Sequence, residues 1–350
     1  MKNFFLSFFL CFQTLAQTKL EFIGDNFYPP QKKFKETLFG GISGITQTST
    51  AGEFFAISDD RSRYSPARMY RIKVDRKSLK ISLLEVITFK KNGNAFKKLD
   101  VDFEGIARVN QNLYAASEGS YILGKRNPPA LMRFNLQGEF QDQFEIPKRY
   151  IPQSEGESQG IRSNKGFEGL SSTPNGKFLF VALEQALRQD GPEPSSKETS
   201  PVRIMKLKIK KSGALEQHSE FVYEIGKLPS QASHKANMGV SEFLALYYNS
   251  LLVLERAWLP IKKRQIVEIF KAKIDGDDVK KLQSLKEKTF QKVSKEKISS
   301  LENFLSLMSS NKKLDNLEAM SFFKKDEILL LSDDNFSSSQ KTQTFLFKLK

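Results

Sequence analysis

A chain of 350 residues with 55 Lys plus Arg against 40 Asp plus Glu carries a net charge of +15 and has room for one large domain or two ordinary ones. Its single cysteine, Cys11, and two histidines, His218 and His234, leave little for disulfides, thiol nucleophiles or transition-metal sites built on imidazole and thiolate. A hydrophobic content of 39%, with 30 Phe, supplies a substantial core.

The first residues read as an export signal. Lys2 gives a thin positive region, Phe4 to Phe12 an apolar stretch, and Thr14-Leu15-Ala16 a cleavage site before Gln17. The alternative is a buried N-terminal strand or helix. The stretch is shorter than the roughly 20 apolar residues that a bilayer span needs, and no other segment is long and apolar enough to cross. The expected division is a leader over 1–16 and a single domain over 17–350, exported to the periplasm or outside. Cys11 follows the large Leu10, where a lipid anchor would need a small residue. The processed chain is therefore expected to have no cysteine.

An internal repeat organises the rest. Gly41-Ile-Ser-Gly-Ile45 is matched by Asp102-Phe-Glu-Gly-Ile106, Gly166-Phe-Glu-Gly-Leu170, Gly239-Val-Ser-Glu-Phe243 and Asn316-Leu-Glu-Ala-Met320. Each copy leads to a second apolar run that ends in an acid: Phe54 to Asp60, Leu113 to Glu118, Phe178 to Glu184, Leu251 to Glu255 and Ile328 to Asp334. A third run alternates apolar and polar residues, the signature of a half-buried strand. Its copies are Met69–Val74, Leu131–Leu136, Ile204–Ile209, Ile269–Ile274 and Phe345–Leu349. More polar fourth strands fit Leu79–Phe89, Glu139–Ile146 and Glu216–Ile225, and Lys19–Ile23 is placed to complete the last module. The pattern predicts an all-β fold, a β-propeller of five four-stranded blades closed by strands from the two chain ends. Six blades stay open if 281–314 holds a degenerate one, although that stretch reads as helical or irregular. Ser154–Lys165 and the segment around Pro192, Pro194 and Pro201 read as loops.

In a blade the first strand lines the channel and the second returns beside it. The start of one and the end of the other share a channel mouth. Glu104 then meets Glu118, Glu168 meets Glu184, and Glu318 meets Asp333 and Asp334. Ser43 stands opposite Asp59 and Asp60, and Ser241 or Glu242 opposite Glu255. Ser241 aligns with Ser43, and a step of one residue turns a strand side chain to the other face. Two unit charges about 4 Å apart repel by roughly 4 kcal/mol at an effective dielectric near 20, so something must offset such a ring. A hard cation such as Ca²⁺ is one means. Arginines are another: Arg61, Arg63, Arg188 and Arg256 follow the second-strand acids, and Arg162 precedes a repeat. Backbone N–H groups of neighbouring blades are a third, with the acids acting as structural staples.

These motifs resemble the phytase-like family described as having esterase-like activity of phytase. The run Gly160-Ile-Arg-Ser-Asn-Lys-Gly-Phe-Glu-Gly-Leu170, Leu251-Leu-Val-Leu-Glu-Arg256, Asp102-Phe-Glu-Gly-Ile106 and Asn316-Leu-Glu-Ala-Met320 carry the resemblance, which extends over nearly the whole chain after the leader. It implies an exported propeller-like domain and, by analogy with β-propeller phytases that use calcium at an acid-lined mouth, phosphoester hydrolysis. Ser43, Ser241 and Ala319 depart from the pattern, and the two serines thin its negative charge.

Metal-assisted phosphoester hydrolysis is thus the expected chemistry, with calcium as cofactor and a small anionic or phosphorylated substrate. Glu104 or Glu168 is the candidate base. Asp59, Asp60, Glu118, Glu184, Glu255, Glu318, Asp333 and Asp334 are candidate metal ligands. Arg61, Arg162, Arg188 and Arg256 are candidate phosphate clamps. Tyr64 and Trp258 fall in mouth loops. No Gly-x-Ser-x-Gly elbow argues for a serine esterase, and the histidines read as loop residues. The densest lysines, Lys262 to Lys297, are interleaved with acids and read as a solvated face. No nucleic-acid motif accompanies them, so nucleic acid is not an expected partner. The competing class is a non-catalytic binding propeller, because a fold alone does not fix function.

Overall fold

The computed structural model describes residues 18–122, 125–152, 158–230, 232–233, 235–247, 249–309 and 313–350. The leader expected over 1–16 and His234 lie outside them. Five four-stranded antiparallel sheets are arranged as a five-bladed β-propeller. Blade 1 runs Ile42–Gln47, Glu53–Ser58, Arg68–Val74 and Ile81–Thr88 from axis to rim. Blade 2 comprises Phe103–Val109, Asn112–Ser117, Ala130–Asn135 and Phe140–Phe144. Blade 3 comprises Phe167–Ser172, Phe178–Leu183, Ser200–Ile209 and Leu215–Ile225.

Blade 4 comprises Asn237–Tyr247, Ser250–Leu259, Arg264–Lys273 and Ser294–Ser300. Its fourth strand corrects the reading of 281–314. Among its described residues that stretch hides no sixth blade, and their helical content is one 3₁₀ turn at Leu301–Phe304. Ser294–Ser300 carries little apolar alternation because it is a rim strand with one neighbour, Arg264–Lys273. Blade 5 comprises Asn316–Lys324, Glu327–Asp333 and Thr342–Leu349, and Leu20–Tyr28 is its outermost strand. Leu20 pairs with Leu349 and Tyr28 with Thr342, so the chain ends close the ring as expected.

Apolar side chains from facing sheets fill the gaps between blades. Phe89, Phe103 and Phe134 join blades 1 and 2, with ring centroids 4.6–5.9 Å apart. Ile42, Phe54, Leu329 and Leu346 join blades 1 and 5. The rim of blade 3 is covered by residues 275–293 of blade 4. Val279 N–H and Val293 N–H donate to the carbonyls of Glu220 and Val222, and Val279, Leu282 and Leu285 pack on Val222. That cover removes an exposed strand edge. Beneath it, buried Arg203 bonds Asp190 at 2.6 and 3.0 Å and Glu220 at 3.0 Å, while Tyr150 and Arg149 complete the Glu220 shell.

One irregularity recurs in every first strand. Pairing with the second strand skips Ser43, Glu104, Glu168 with Gly169, Ser241 and Glu318. These are β-bulges, which re-aim a side chain. The next residue must then be small where the neighbouring blade comes close. A Cβ on Gly44 would lie 2.8 Å from the Glu104 carbonyl, and one on Gly105 would lie 2.7 Å from the Glu168 carbonyl. Gly105→Ala is expected to cost about 1–3 kcal/mol, the range for overpacking. An unchanged urea midpoint would show that the blades can separate freely.

Candidate functional site

The bulges turn one residue per blade toward the axis at one mouth: Ser43, Glu104, Glu168, Ser241 and Glu318. A second tier stands at the end of each second strand. Asp59 N–H bonds the Gly41 carbonyl at 2.9 Å, Glu118 that of Asp102 at 2.8 Å, and Glu184 that of Gly166 at 2.7 Å. By strand pairing, the equivalent residues are Asp333, opposite Asn316, and Arg256, opposite Gly239. Glu104, Glu168 and Glu318 of the first tier and Asp59, Glu118, Glu184 and Arg256 of the second line a cavity of about 780 Å³ together with Arg61, Lys165, Trp258 and Asn316.

Two groups of carboxylates are close enough to share a cation. Single oxygens of Asp102, Glu104 and Glu118 lie within 4.8 Å of one another, as do those of Glu118, Glu168 and Glu184. All five residues are buried. Burial first, and the like charges around them second, push the carboxyls of Asp59, Glu104, Glu118 and Glu168 well above the ordinary carboxylate range. Burial also raises Glu318, though Arg256 beside it holds the shift back. Basic groups offset part of this charge. Arg61 Nε bonds Asp102 Oδ1 at 2.6 Å, and its Nη2 is 3.8 Å from Glu118 Oε2. Lys165 Nζ bonds both Glu184 oxygens at 2.8 and 2.9 Å. Arg256 Nη2 bonds Glu318 Oε1 at 2.8 Å. Burial would lower the Lys165 ammonium, but Glu184, Glu118 and Glu168 outweigh it and hold it above its usual value.

The compensation is uneven. Glu184 has both oxygens on Lys165, whereas Asp102 Oδ2 and Glu118 Oε2 are buried without a hydrogen bond among the described residues. Unpaired carboxylate oxygens in such a place suit a hard cation, which takes oxygen ligands. The group containing Asp102, Glu104 and Glu118 therefore fits a metal better than its neighbour.

The sequence profile of the phytase-like family, described as esterase-like activity of phytase, matches residues 37–336. The chain belongs to the phytase-like family. A curated relative of this phytase-like chain, an uncharacterized secreted protein of Arthroderma benhamiae, is 24% identical over 195 residues. That match covers 47% of this chain and only 36% of the relative's length. Among solved structures, an endo-arabinase from Bacteroides thetaiotaomicron aligns with a TM-score of 0.44 at 10% identity, covering 92% of this chain and 96% of that one. A member of the duf4221 family from Bacteroides vulgatus gives 0.42 at 9% identity, covering 95% and 99%.

In this phytase-like propeller the mouth gathers eight of the residues marked in the sequence: Asp59, Arg61, Glu104, Glu118, Glu168, Glu184, Arg256 and Glu318. Six others serve elsewhere. Asp60, one step past Asp59, turns away from the axis and accepts from Arg63, Tyr64 and Ser65 N–H at 2.8, 2.8 and 3.0 Å and from buried Arg68. Asp334 does the same one step past Asp333, accepting from Gly41 and Phe336 N–H at 3.0 Å and so pinning blade 5 to blade 1. Asp333 is buried below the cavity wall, with Oδ1 on Asn335 N–H at 2.8 Å.

Glu255 corrects the expected second tier. It pairs with Val240 rather than Gly239, so it faces away from the axis and takes Tyr223 Oη, Gly226 N–H and Lys295. Arg256 holds the place an acid fills in the other blades. Arg162 donates to the Gly191 carbonyl at 2.8 Å and sits 3.7 Å from Glu193, beside Arg188. Neither arginine lines the cavity. Glu242 is a staple, accepting from Leu170 and Phe243 N–H at 3.2 and 2.9 Å, which agrees with Ser241 as the ring residue.

Asp102 and Lys165 were missed as site residues, although each lies in a quoted motif. Asp102 opens its repeat where glycine stands in three of the other four copies or their equivalents begin with Asn316, a departure that marks it. His218 is a strand residue rather than the expected loop residue, its ring tilted against Phe178 with centroids 5.2 Å apart.

The raised carboxyls set the sign of the pH response. A carboxyl whose folded pKa lies above its unfolded value stabilises the fold when protonated, and that stability is lost as pH rises from near 4.5 through the raised folded value. The chelator-treated protein is expected to melt at progressively lower temperature as pH rises from 5 toward 8, at about constant ionic strength. Glu118→Gln should flatten that slope. A melting temperature that climbs over this range would contradict the carboxylate assignment.

Proposed function

We propose that this chain is an exported, calcium-dependent phosphoester hydrolase that works at the acid-lined mouth. The observation that carries the reading is the pair of buried oxygens, Asp102 Oδ2 and Glu118 Oε2, without hydrogen bonds beside Glu104. Asp102, Glu104 and Glu118 would hold the calcium, and Glu168 borders it through Glu118. Bound there, calcium supplies positive charge that polarises a phosphoryl oxygen. Arg61 and Arg256 both line the cavity and would orient a bound anion. Lys165 neutralises Glu184 and leaves Glu168 as the ring carboxylate placed to take a proton from water. Burial first, and the charges of Glu184 and Glu118 second, raise its affinity for a proton. Family membership supports the reaction class, and the secreted relative supports export.

A second reading is favoured by one contact set. Arg61 is already paired with Asp102 and Arg256 with Glu318, which suits a mouth that binds an anionic ligand or partner without turning it over. The test measures release of phosphate from 4-nitrophenyl phosphate and from inositol hexakisphosphate, with calcium titrated from a chelated start. The hydrolase reading expects activity only with calcium. Glu168→Gln should lower kcat by about 10²–10⁴ while keeping the calcium-induced rise in melting temperature, and Glu118→Gln should abolish that rise. A calcium-induced rise with no hydrolysis of either ester would sink the hydrolase reading and leave the binding propeller.

A further inference from the structure

The opposite mouth has a different chemistry. The far ends of the five first strands surround a cavity of about 660 Å³, within the size range of small-molecule sites. Its floor takes one apolar side chain from each blade: Ile45, Ile106, Leu170, Leu244 and Met320, all buried. Its rim carries Arg108, Lys324 and Lys325, and no Asp or Glu lines it among the described residues. Lys324 reaches Glu327 only at 3.9 Å. Among the described residues the buried Arg108 Nε has no hydrogen-bond partner, and no acid pairs with its guanidinium. Tyr247, 65% exposed, adds an aromatic face at the rim.

We propose that this cavity binds a small organic anion with an apolar body, such as an alkyl or aryl carboxylate, sulfonate or phosphate. A buried donor without an acceptor is rare in a folded protein and asks for one. Arg108 supplies it with positive charge, so the acceptor it favours is an anion. The five-blade apolar floor excludes a purely hydrated ion such as inorganic phosphate, because covering that floor with a polar group returns nothing for the lost hydration. The anionic head sits on Arg108 with Lys325 nearby, and the body lies on Ile106, Leu170 and Leu244 beneath Tyr247. No described residue lines both this cavity and the acidic one, so the two sites are expected to fill independently. This inference does not rest on the proposed hydrolysis.

The test uses the whole chain and the dye anilinonaphthalene sulfonate, whose emission rises in an apolar site. One saturable site is expected, with octanoate displacing the dye and octanol at equal concentration failing to do so. Trp258, the single tryptophan, lines the other mouth, so octanoate should displace the dye without altering Trp258 emission. Arg108→Gln should weaken dye binding about tenfold, the scale of one charge-assisted contact. Lys325→Gln should weaken it less and serves as the deciding variant if circular dichroism shows Arg108→Gln unfolded. The proposal is overturned by non-saturable binding, by equal displacement with octanol, by octanoate perturbing Trp258, or by wild-type affinity in the folded variants.

Discussion

The structure depends on holding many carboxylates in one buried ring. Two such charges about 4 Å apart repel by roughly 4 kcal/mol at an effective dielectric near 20, a large part of the 5–15 kcal/mol that separates folded from unfolded domains. The fold meets this in three ways at once. Arg61, Lys165 and Arg256 each sit against one acid. Raised proton affinity lets several acids stay neutral. Acids one step further along the chain, Asp60 and Asp334, are turned out of the ring and onto backbone N–H groups and Arg68. Among the described residues, buried carboxylate oxygens without a hydrogen bond remain on Asp59, Asp102, Glu118 and Asp333, and those of Asp102 and Glu118 fall in one group close enough to share a cation.

The same ring is made by a backbone device. A bulge at one position per blade sends Ser43, Glu104, Glu168, Ser241 and Glu318 to the axis. The glycine that follows in blades 1, 2 and 3 lets neighbouring first strands come within reach of one another. Blade 4 breaks this rule with Glu242. Its side chain lies against Gly169 of blade 3 and accepts two backbone N–H groups. The missing glycine of one blade is thus absorbed by the glycine of the next. Gly169 leaves the room that Glu242 fills.

The repeat made the blades legible, since each copy of the five-residue motif marks a first strand and the alternating third runs mark the half-buried ones. Rim strands were harder, because a strand with one neighbour and one wet side needs no strict alternation. Ser294–Ser300 went unread for that reason. At the site, residue type was readable but facing was not always so. In blade 4 Val240 pairs with Glu255 and Gly239 with Arg256, so the acid falls one residue short of the second-tier position. A slip of one exchanges the two faces of a strand, which put Glu255 where Arg256 stands. Asp102 was visible in its motif, but its role is a matter of distance to Glu104 and Glu118, and distances across a blade are not written in one strand.

The two mouths are made by the same five strands and differ because of where along each strand polarity falls. The motif places a polar residue at its third position and an apolar one at its fifth in all five blades. Ile45, Ile106, Leu170 and Met320, the fifth residues of four copies, line the opposite cavity, and in blade 4 Leu244 does so one step past Phe243. These side chains give the opposite cavity its floor, and they are divided among four cores between the blades. The short hydrophobic step between third and fifth positions is what lets one small channel keep an acidic face and a basic face apart.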